Sequence, residues 1–383
     1  MSHDVVVIGG GIAGAALTYE LARAGAQTLL LDAGAIAGGA SGATMGMVLW
    51  VTLQSEAELR VAAPGEKRLA ALEDELNADL QYRRLPALVL APDNAALQRL
   101  ARQVERLRAF GLAAQVIDPA EIATIEPALE TQGFAGALHA EQAHIDAVAL
   151  TRAYLRAAER YGARVLEDRA VIGFEMTHGR ITAARTARES FAAERFALAA
   201  GAWTRRLAAS AGVDLPIYHI HGEAIATLPR PATLRAMVMV ASSQGHGALE
   251  RRVATALAAG ATWEQWQDPS EAQDISAVQR ADGCVLLGQV SRALPAPRLP
   301  VRPAAAERIR QAAEQILPAL RDTRIAASWS APVPFTPDQQ PLIGNVPERD
   351  NLYVYAGFRS ALLTVPATSE RLARQISSGS VIS

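Results

Sequence analysis

The first residues with evident chemical capacity are glycines. The run G-G-G-I-A-G sets Gly9, Gly11 and Gly14 at G-x-G-x-x-G spacing. Gly9 permits a tight turn, Gly11 lets backbone approach a pyrophosphate, and Gly14 lets a helix lie close on a strand. A helix opening at Ile12 and Ala13 would aim its unpaired N–H groups and positive dipole end at phosphate. Asp32, followed by Ala33, closes a second apolar run downstream. A carboxylate at that distance can accept hydrogen bonds from both ribose hydroxyls and would repel a 2′-phosphate, which argues against NADP.

Other groups could do chemistry. His219, His221 and Glu223 alternate in H-I-H-G-E, so they share one face of a strand. Three readings stay open for them: a metal site with no third or fourth ligand cluster in view, the lining of a substrate pocket, or structural polar residues. A single histidine there could titrate near neutral pH and alter substrate binding. Cys284 is the one cysteine. It reads as a small buried hydrophobe and cannot form an intramolecular disulfide, which suggests a reducing compartment.

The elements that must position these residues follow from pattern. Residues 4–8 form a β-branched run typical of a buried parallel strand, 12–24 a helix ended by Gly25, and 27–32 a second strand. A loop rich in Gly, Ala and Ser runs from Gly34 to Gly46. Residues 55–79 and 93–110 read as amphipathic helices around a short strand near 88–90, and 147–161 as a helix before a strand at 164–166. Residues 170–176, 180–186 and 190–199 alternate like an antiparallel meander. Further strands are expected at 217–228, 285–290 and 353–357, further helices at 248–258, 304–320 and 366–377, and a proline-studded loop at 332–338. Residues 241–280, with Trp263 and Trp266, read as an insertion that forms a lid or a partner surface more readily than an idle loop.

A chain of 383 residues suggests two domains. The formal net charge of −2 and scattered arginines exclude a nucleic-acid surface. The sequence has no apolar run long enough to cross a membrane. The apolar stretch from Asp4 to Gly14 is short, lacks a basic leader and runs into glycines, so it reads as strand and turn rather than a signal peptide. The expected location is cytoplasmic, with peripheral attachment to a membrane left open.

The G-A-I-A-G-G-A-S-G loop after Asp32 separates FAD from NAD. A Gly/Ser stretch there can wrap a bound cofactor and carry small side chains under a flavin. An ordinary NAD site has no need of it. With this loop, H-G-E-A, L-A-A-G-A-W, F-T-P-D-Q-Q-P-L-I-G and Y-A-G-F-R-S-A-L-L-T-V-P-A-T, the chain resembles, over nearly its whole length, the D-amino-acid oxidase, glycine oxidase and sarcosine oxidase superfamily of flavoproteins.

The resemblance implies an α/β fold: a Rossmann-type FAD-binding domain (1–80, 143–215 and 327–383) intertwined with a mixed-sheet substrate domain (81–142 and 216–326). It lays Ser41, with Gly39 and Ala40, against the cofactor, and runs Met45, Gly46 and Met47 along the isoalloxazine ring. It sets the Val171 backbone at the adenine and Ala200, Gly201 and Trp203 beside the ribityl chain. Gly344, Gly357, Leu362, Leu363 and Thr364, with Arg359 and Ser360 among them, would cradle the flavin pyrimidine end. Core packing is the competing role for Leu362 and Leu363. The implied chemistry is C–N oxidation of a small amine or amino acid, with hydride passing to flavin N5 and the imine hydrolysing afterwards.

The departures from the pattern matter. Glycine-oxidase-like members hold the substrate carboxylate with an arginine where this chain has Val333, and valine cannot bind that group. Arg359 is the remaining candidate, with helix capping or bridging between domains as its competing role. His221 falls where the family has a basic residue at the cavity edge. Sarcosine oxidases attach flavin to a cysteine near the position of Ala331, so FAD is expected to be non-covalent. Two alternatives stand beside an oxidase: a subunit of a dehydrogenase complex that acts on proline, hydroxyproline or opines and hands electrons to a partner or quinone, and a flavin-binding assembly protein without catalysis. A homo-oligomer is also left open.

Overall fold

A computed structural model describes residues 3–53, 55–321 and 323–378. The chain opens with β1 (His3–Ile8), α1 (Ile12–Arg23) and β2 (Thr28–Leu31), then a short helix α2 (Ala40–Ala43) and β3 (Met47–Val48). Next come α3 (Glu56–Ala70), α4 (Leu72–Leu76), β4 (Arg83–Ala91), α5 (Asn94–Ala109), β5 (Gln115–Ile117), α6 (Pro119–Ile125) and β6 (Gly136–His144). Then follow α7 (Ala147–Arg160), β7 (Arg164–Leu166), β8 (Val171–Thr177), β9 (Arg180–Thr186), β10 (Ser190–Leu198) and α8 (Thr204–Ser210). The later chain carries β11 (Tyr218–Thr227), β12 (Met237–Val240), α9 (His246–Ala258), β13 (Glu271–Gln279), β14 (Val285–Arg292) and α10 (Pro303–Ile316). It closes with β15 (Ile325–Phe335), β16 (Leu342–Val346), β17 (Arg349–Ala356) and α11 (Ala361–Ser378).

Two sheets organise these elements. The first runs β16-β17-β10-β1-β2-β7, with β8 and β9 extending from β10. Its β17, β10, β1, β2 and β7 are mutually parallel. Parallel strands need cover on both faces, which is why Val5 to Ile8 is an unbroken buried run. Alternation divides the side chains. Val5, Val7 and Leu30 pack with α1, α7 and α11, while Val6, Ile8, Leu29 and Leu31 pack with Ile181, Ala184 and Ala208 of β9 and α8. The 170–199 meander forms as expected, but β10 continues past it to pair in parallel with β1 and β17.

The second sheet runs β15-β11-β14-β13-β12-β4-β6-β3, with β5 beside β6. Its pairs are antiparallel except β12 with β4. One face packs on α6 and α10 through Ile122, Ile309 and Ala313. The opposite face looks towards the first sheet.

Several expectations change. Residues 55–79 are two helices, and Asn77 in the left-handed region ends the second. Residues 332–335 are not loop but the end of β15, and residues 327–335 therefore belong to the second sheet. Pro332 and Pro334 are tolerated because β15 is an edge strand, where a missing N–H costs no ladder bond. Helix α11 starts at Ala361 rather than 366, because the Ser360 carbonyl accepts the Leu363 and Thr364 N–H groups at 3.0 and 2.9 Å. Residues 241–280 are not a separable insertion, since β13 pairs β12 and β14 inside the sheet. Trp263 is buried against Tyr218 and His219, with ring centroids 5.7 and 5.2 Å away. Cys284 is half-exposed at the turn between β13 and β14 rather than buried.

Candidate functional site

The C-terminal ends of the first sheet's strands define where a ligand sits, as the rule for open α/β sheets requires. Ile8, Leu31, Ala199 and Ala356, at or just past the ends of β1, β2, β10 and β17, all line one cavity of about 1420 Å³. This volume exceeds the roughly 300–1,000 Å³ of an ordinary small-ligand pocket. The cavity runs from the glycine turn to the underside of the second sheet, where Gly222, Ala224, Ser276, Gln289, Ala331 and Val333 line it.

At the nucleotide end, Gly9, Gly11, Ile12, Ala13, Asp32 and Ala33 line the cavity. Gly9 has φ +114°, and a Cβ there would collide with the Ala199 carbonyl. Gly14 lies behind the wall. A Cβ on it would strike the Gly9 carbonyl, so its service is close helix–strand packing. Helix α1 has no side-chain cap at Gly11 and no acidic residue in its first turn. Ser41 Oγ accepts the Ile12 N–H at 2.9 Å, tying the Ala40–Ala43 helix to the opening of α1. Asp32 accepts the Gly10 N–H at 2.5 Å on Oδ2 and the Gly34 N–H at 2.8 Å on Oδ1. A carboxylate has about four lone-pair sites, so acceptor capacity remains for ribose hydroxyls.

Further along, Gly39, Ala40, Ser41, Met45 and Met47 line the cavity. So do Val171, Ala200, Gly201 and Trp203. Gly357, Arg359, Ser360, Leu362 and Leu363 line it where α11 begins, so a helix N-terminus with its positive dipole end opens onto this region. A helix start with free N–H groups beyond the one Ser41 takes, a strand-end carboxylate, a second helix start and a cavity long enough to join them fit FAD.

Besides Gly14, four expected site residues stand outside the wall. Gly46 and Thr364 are not in the wall; Thr364 faces inward, its carbonyl accepting the Thr368 hydroxyl at 2.8 Å. Gly344 sits on β16 beside Gln375, outside the cavity. His221 is also absent from the wall, and alternation explains it: Gly222 and Ala224 face the cavity, so His219, His221 and Glu223 face away. His219 and His221 both direct Nε2 at the Ala296 carbonyl, at 3.2 and 2.7 Å, and Glu223 pairs with Arg292 and Arg302. Burial lowers His221 to about 4. No group of His, Cys, Asp or Glu among the described residues could hold a metal ion.

Pattern reading missed a charged cluster in the wall. His246 and Glu250 on α9, Asp274 on β13 and Arg359 all line the cavity. Arg359 Nη2 stands 2.9 Å from Glu250 Oε2, and His246 Nε2 stands 3.2 Å from Glu250 Oε1. Asp274 Oδ2 accepts the His246 N–H at 2.7 Å. The i, i+4 spacing of His246 and Glu250 was the available signal. Cys284 does not line the cavity, whereas Ala331 does. No helix among the described residues is long and apolar enough to cross a membrane.

Comparison with known proteins places this geometry. The chain is 27% identical to a glycine oxidase of Bacillus licheniformis over 391 aligned residues, covering 98% of this chain and 93% of that protein. It is 28% identical to a 4-methylaminobutanoate oxidase (formaldehyde-forming) of Paenarthrobacter nicotinovorans, covering 99% of this chain and 45% of that protein. The fold superposes on the crystal structure of glycine oxidase from Geobacillus kaustophilus with a TM-score of 0.85 at 24% identity, covering 100% of this chain and 96% of that one. Residues 4–375 match the family model described as DAO, FAD dependent oxidoreductase, and the chain belongs to that family of FAD enzymes.

Proposed function

We propose that this FAD enzyme oxidises the C–N bond of an amine or amino acid to an imine, which water hydrolyses to a carbonyl compound and a free amine. One observation carries the reading: the dinucleotide end, the α11 opening and the underside of the second sheet share one cavity. Residues of β11, β13, β14 and β15 form the cavity wall beyond the nucleotide end and would face a bound flavin. Both named relatives are, by their names, oxidases of amines, which supports the same class.

When bound, FAD supplies the two-electron acceptor that takes hydrogen from carbon together with its electron pair. The chain's own residues bind and orient. The α1 opening and Asp32 would hold the nucleotide. The N–H groups at the start of α11 would favour negative charge on a group bound beside them, the logic of an oxyanion hole. Met45, Met47, Trp329 and Val333 supply apolar wall that keeps water from the reacting carbon. No dedicated general base is required if the amine arrives neutral, and Gln289 and Ser276 offer neutral partners for it. Attachment of FAD is read as non-covalent, with Ala331 where a cysteine would be needed.

Anaerobic mixing with D- and L-amino acids, N-methyl amines and opines tests the reading. Bleaching of the bound flavin by at least one amine supports it. Bound flavin untouched by the whole panel favours a flavin-binding assembly protein. Peroxide release in air marks an oxidase, and dye reduction without peroxide a dehydrogenase.

A further inference from the structure

The charged cluster at the end of the cavity bears on which amine is accepted. Among the described residues lining the cavity, four are arginines. Arg99 is exposed on α5, Arg206 is on α8, and Arg298 lies 6.0 Å from the Trp203 ring. Arg359 is at the Phe335 end of β15. Its charge and that of Glu250 both act on the buried Tyr218, whose ring is 5.9 Å from Phe335, and His246 lies 5.3 Å from Phe335. Val333, two residues along the same strand, lines the same cavity and offers no charge.

Arg359 already carries an anion supplied by the chain itself. Its Nη2 is held by Glu250 at 2.9 Å, and the Glu250 side chain is only 3% exposed. Its Nη1 is buried without a hydrogen-bond partner among the described residues, so Glu250 is the one anion that holds this guanidinium, whose side chain is 18% exposed at the cavity wall. Burial opposes ionisation of Glu250, but His246 and Arg359 outweigh it and hold the carboxyl below the usual range. Asp274 adds a second carboxyl to the same wall, raised by its burial. An α-carboxylate entering here would compete with Glu250 for Arg359 and meet two acidic groups, an arrangement that rejects as well as fails to attract.

We propose that Glu250 takes, as part of the chain, the place a substrate carboxylate would take on Arg359, so that the site selects amines with no carboxylate beside the reacting C–N bond. This rests on the amine-oxidising function proposed above and narrows its substrate class. Glu250 and Arg359 are specificity-determining residues in this scheme, and the amine is positioned by the apolar wall and by neutral or acidic groups.

Two measurements on the FAD-loaded protein test it. The first follows the visible flavin spectrum as acetate and benzoate are titrated into the wild type and Glu250→Gln. The expected result is no saturable change for the wild type and binding at least about tenfold tighter for E250Q, a gain of about 1.4 kcal/mol. Equal affinities, or tight binding to the wild type that Arg359→Met abolishes, would overturn the proposal. The second compares anaerobic flavin reduction by matched pairs, pyrrolidine with proline and dimethylamine with sarcosine. The carboxylate-free member should be favoured in the wild type and the ratio should move towards the amino acid in E250Q. Faster wild-type reduction by proline or sarcosine overturns the proposal, and this arm stands even if E250Q fails to fold. If no amine reduces the flavin but the carboxylate titrations behave as expected, the proposed function fails while the role of Glu250 stands. A wild type that takes up no FAD sinks both.

Discussion

The Trp329 indole N–H donates to the Ala43 carbonyl across 2.8 Å, joining edge strand β15 of the second sheet to the Gly/Ser-rich segment that follows Asp32. Both residues line the cavity, so one hydrogen bond clasps its two walls. Trp329→Phe keeps an aromatic ring and removes the donor. This bond is only part-buried, so its loss costs about 0.5–1.5 kcal/mol. The expected outcome is FAD affinity weakened about 2- to 10-fold, read by flavin fluorescence titration. Unchanged affinity would mean the clasp does not organise the cofactor site.

Asp32 already accepts two backbone N–H groups, so it shapes the turn as well as facing the cavity. Hydrogen bonds to a charged group contribute about 1.5–3 kcal/mol each. Asp32→Ala should therefore raise the FAD dissociation constant by at least about tenfold, while circular dichroism of the apoprotein changes little. Retained affinity would remove Asp32 from ribose recognition.

Gly14 and Gly39 make a steric contrast. A Cβ on Gly14 would collide with the Gly9 carbonyl and press on Ala199, whereas a Cβ on Gly39 meets nothing within 4 Å. Gly39 also has a negative φ, −99°, so it carries none of the left-handed strain found at Gly9. Gly14→Ala is expected to cost more than about 3 kcal/mol and to abolish soluble flavin-loaded protein, and Gly39→Ala to stay within about 0.5 kcal/mol of the wild type. Thermal melts of the two variants check this, and equal melting temperatures would contradict the packing described for α1 on β1.

Acid should destabilise the fold before its carboxylates titrate. Burial holds His144 and His221 down to about 4, against 6.5 for the free side chain, and His3 and His219 are lowered too, chiefly by burial. Between these values the unfolded chain binds more protons than the folded one, so stability rises with pH across this window and falls on acidification. Asp274, raised by burial, runs the other way and contributes stability that is lost as pH rises through its folded value. Denaturant midpoints should drop from pH 7 to pH 5, and His144→Gln with His221→Gln should flatten the slope. A midpoint independent of pH over that range would refute the buried neutral state of these rings.

The nucleotide half of the site was legible because each feature is local. Three glycines, a β-branched run and an acid at a fixed distance specify Gly9 to Asp32 without reference to distant chain. The second sheet was less legible. Strand β6 hides its period because Gln142 and His144 are buried polar residues, and Gln142 takes up the Trp50 N–H at 2.8 Å rather than facing water. Strand β15 carries prolines that read as loop until its edge position is known. His221 was misplaced for a related reason, since a strand's period gives two faces but not which one meets the cavity. Glu250 meets Arg359, and Asp274 meets the His246 N–H, across long stretches of chain that no local pattern encodes.

Glu126 offers a test of the second sheet that leaves the cavity alone. It is fully buried at the end of α6 and outside the cavity wall. Its Oε2 accepts the Arg235 and Ala236 N–H groups at 2.5 and 2.8 Å, and Oε1 accepts the Ala128 N–H at 3.2 Å. A buried carboxylate is tolerated here because three backbone donors replace water, and they in turn have no other acceptor if it is removed. Glu126→Ala should therefore cost at least about 2 kcal/mol, with Glu126→Gln intermediate because its amide keeps one accepting oxygen and turns a donor towards the remaining N–H. Chemical denaturation with unchanged m-values measures the loss, and FAD affinity of the folded fraction should match the wild type. A stability near wild type for the alanine variant would show that water or a shifted backbone satisfies those N–H groups, and that Glu126 does not anchor the entry to β12.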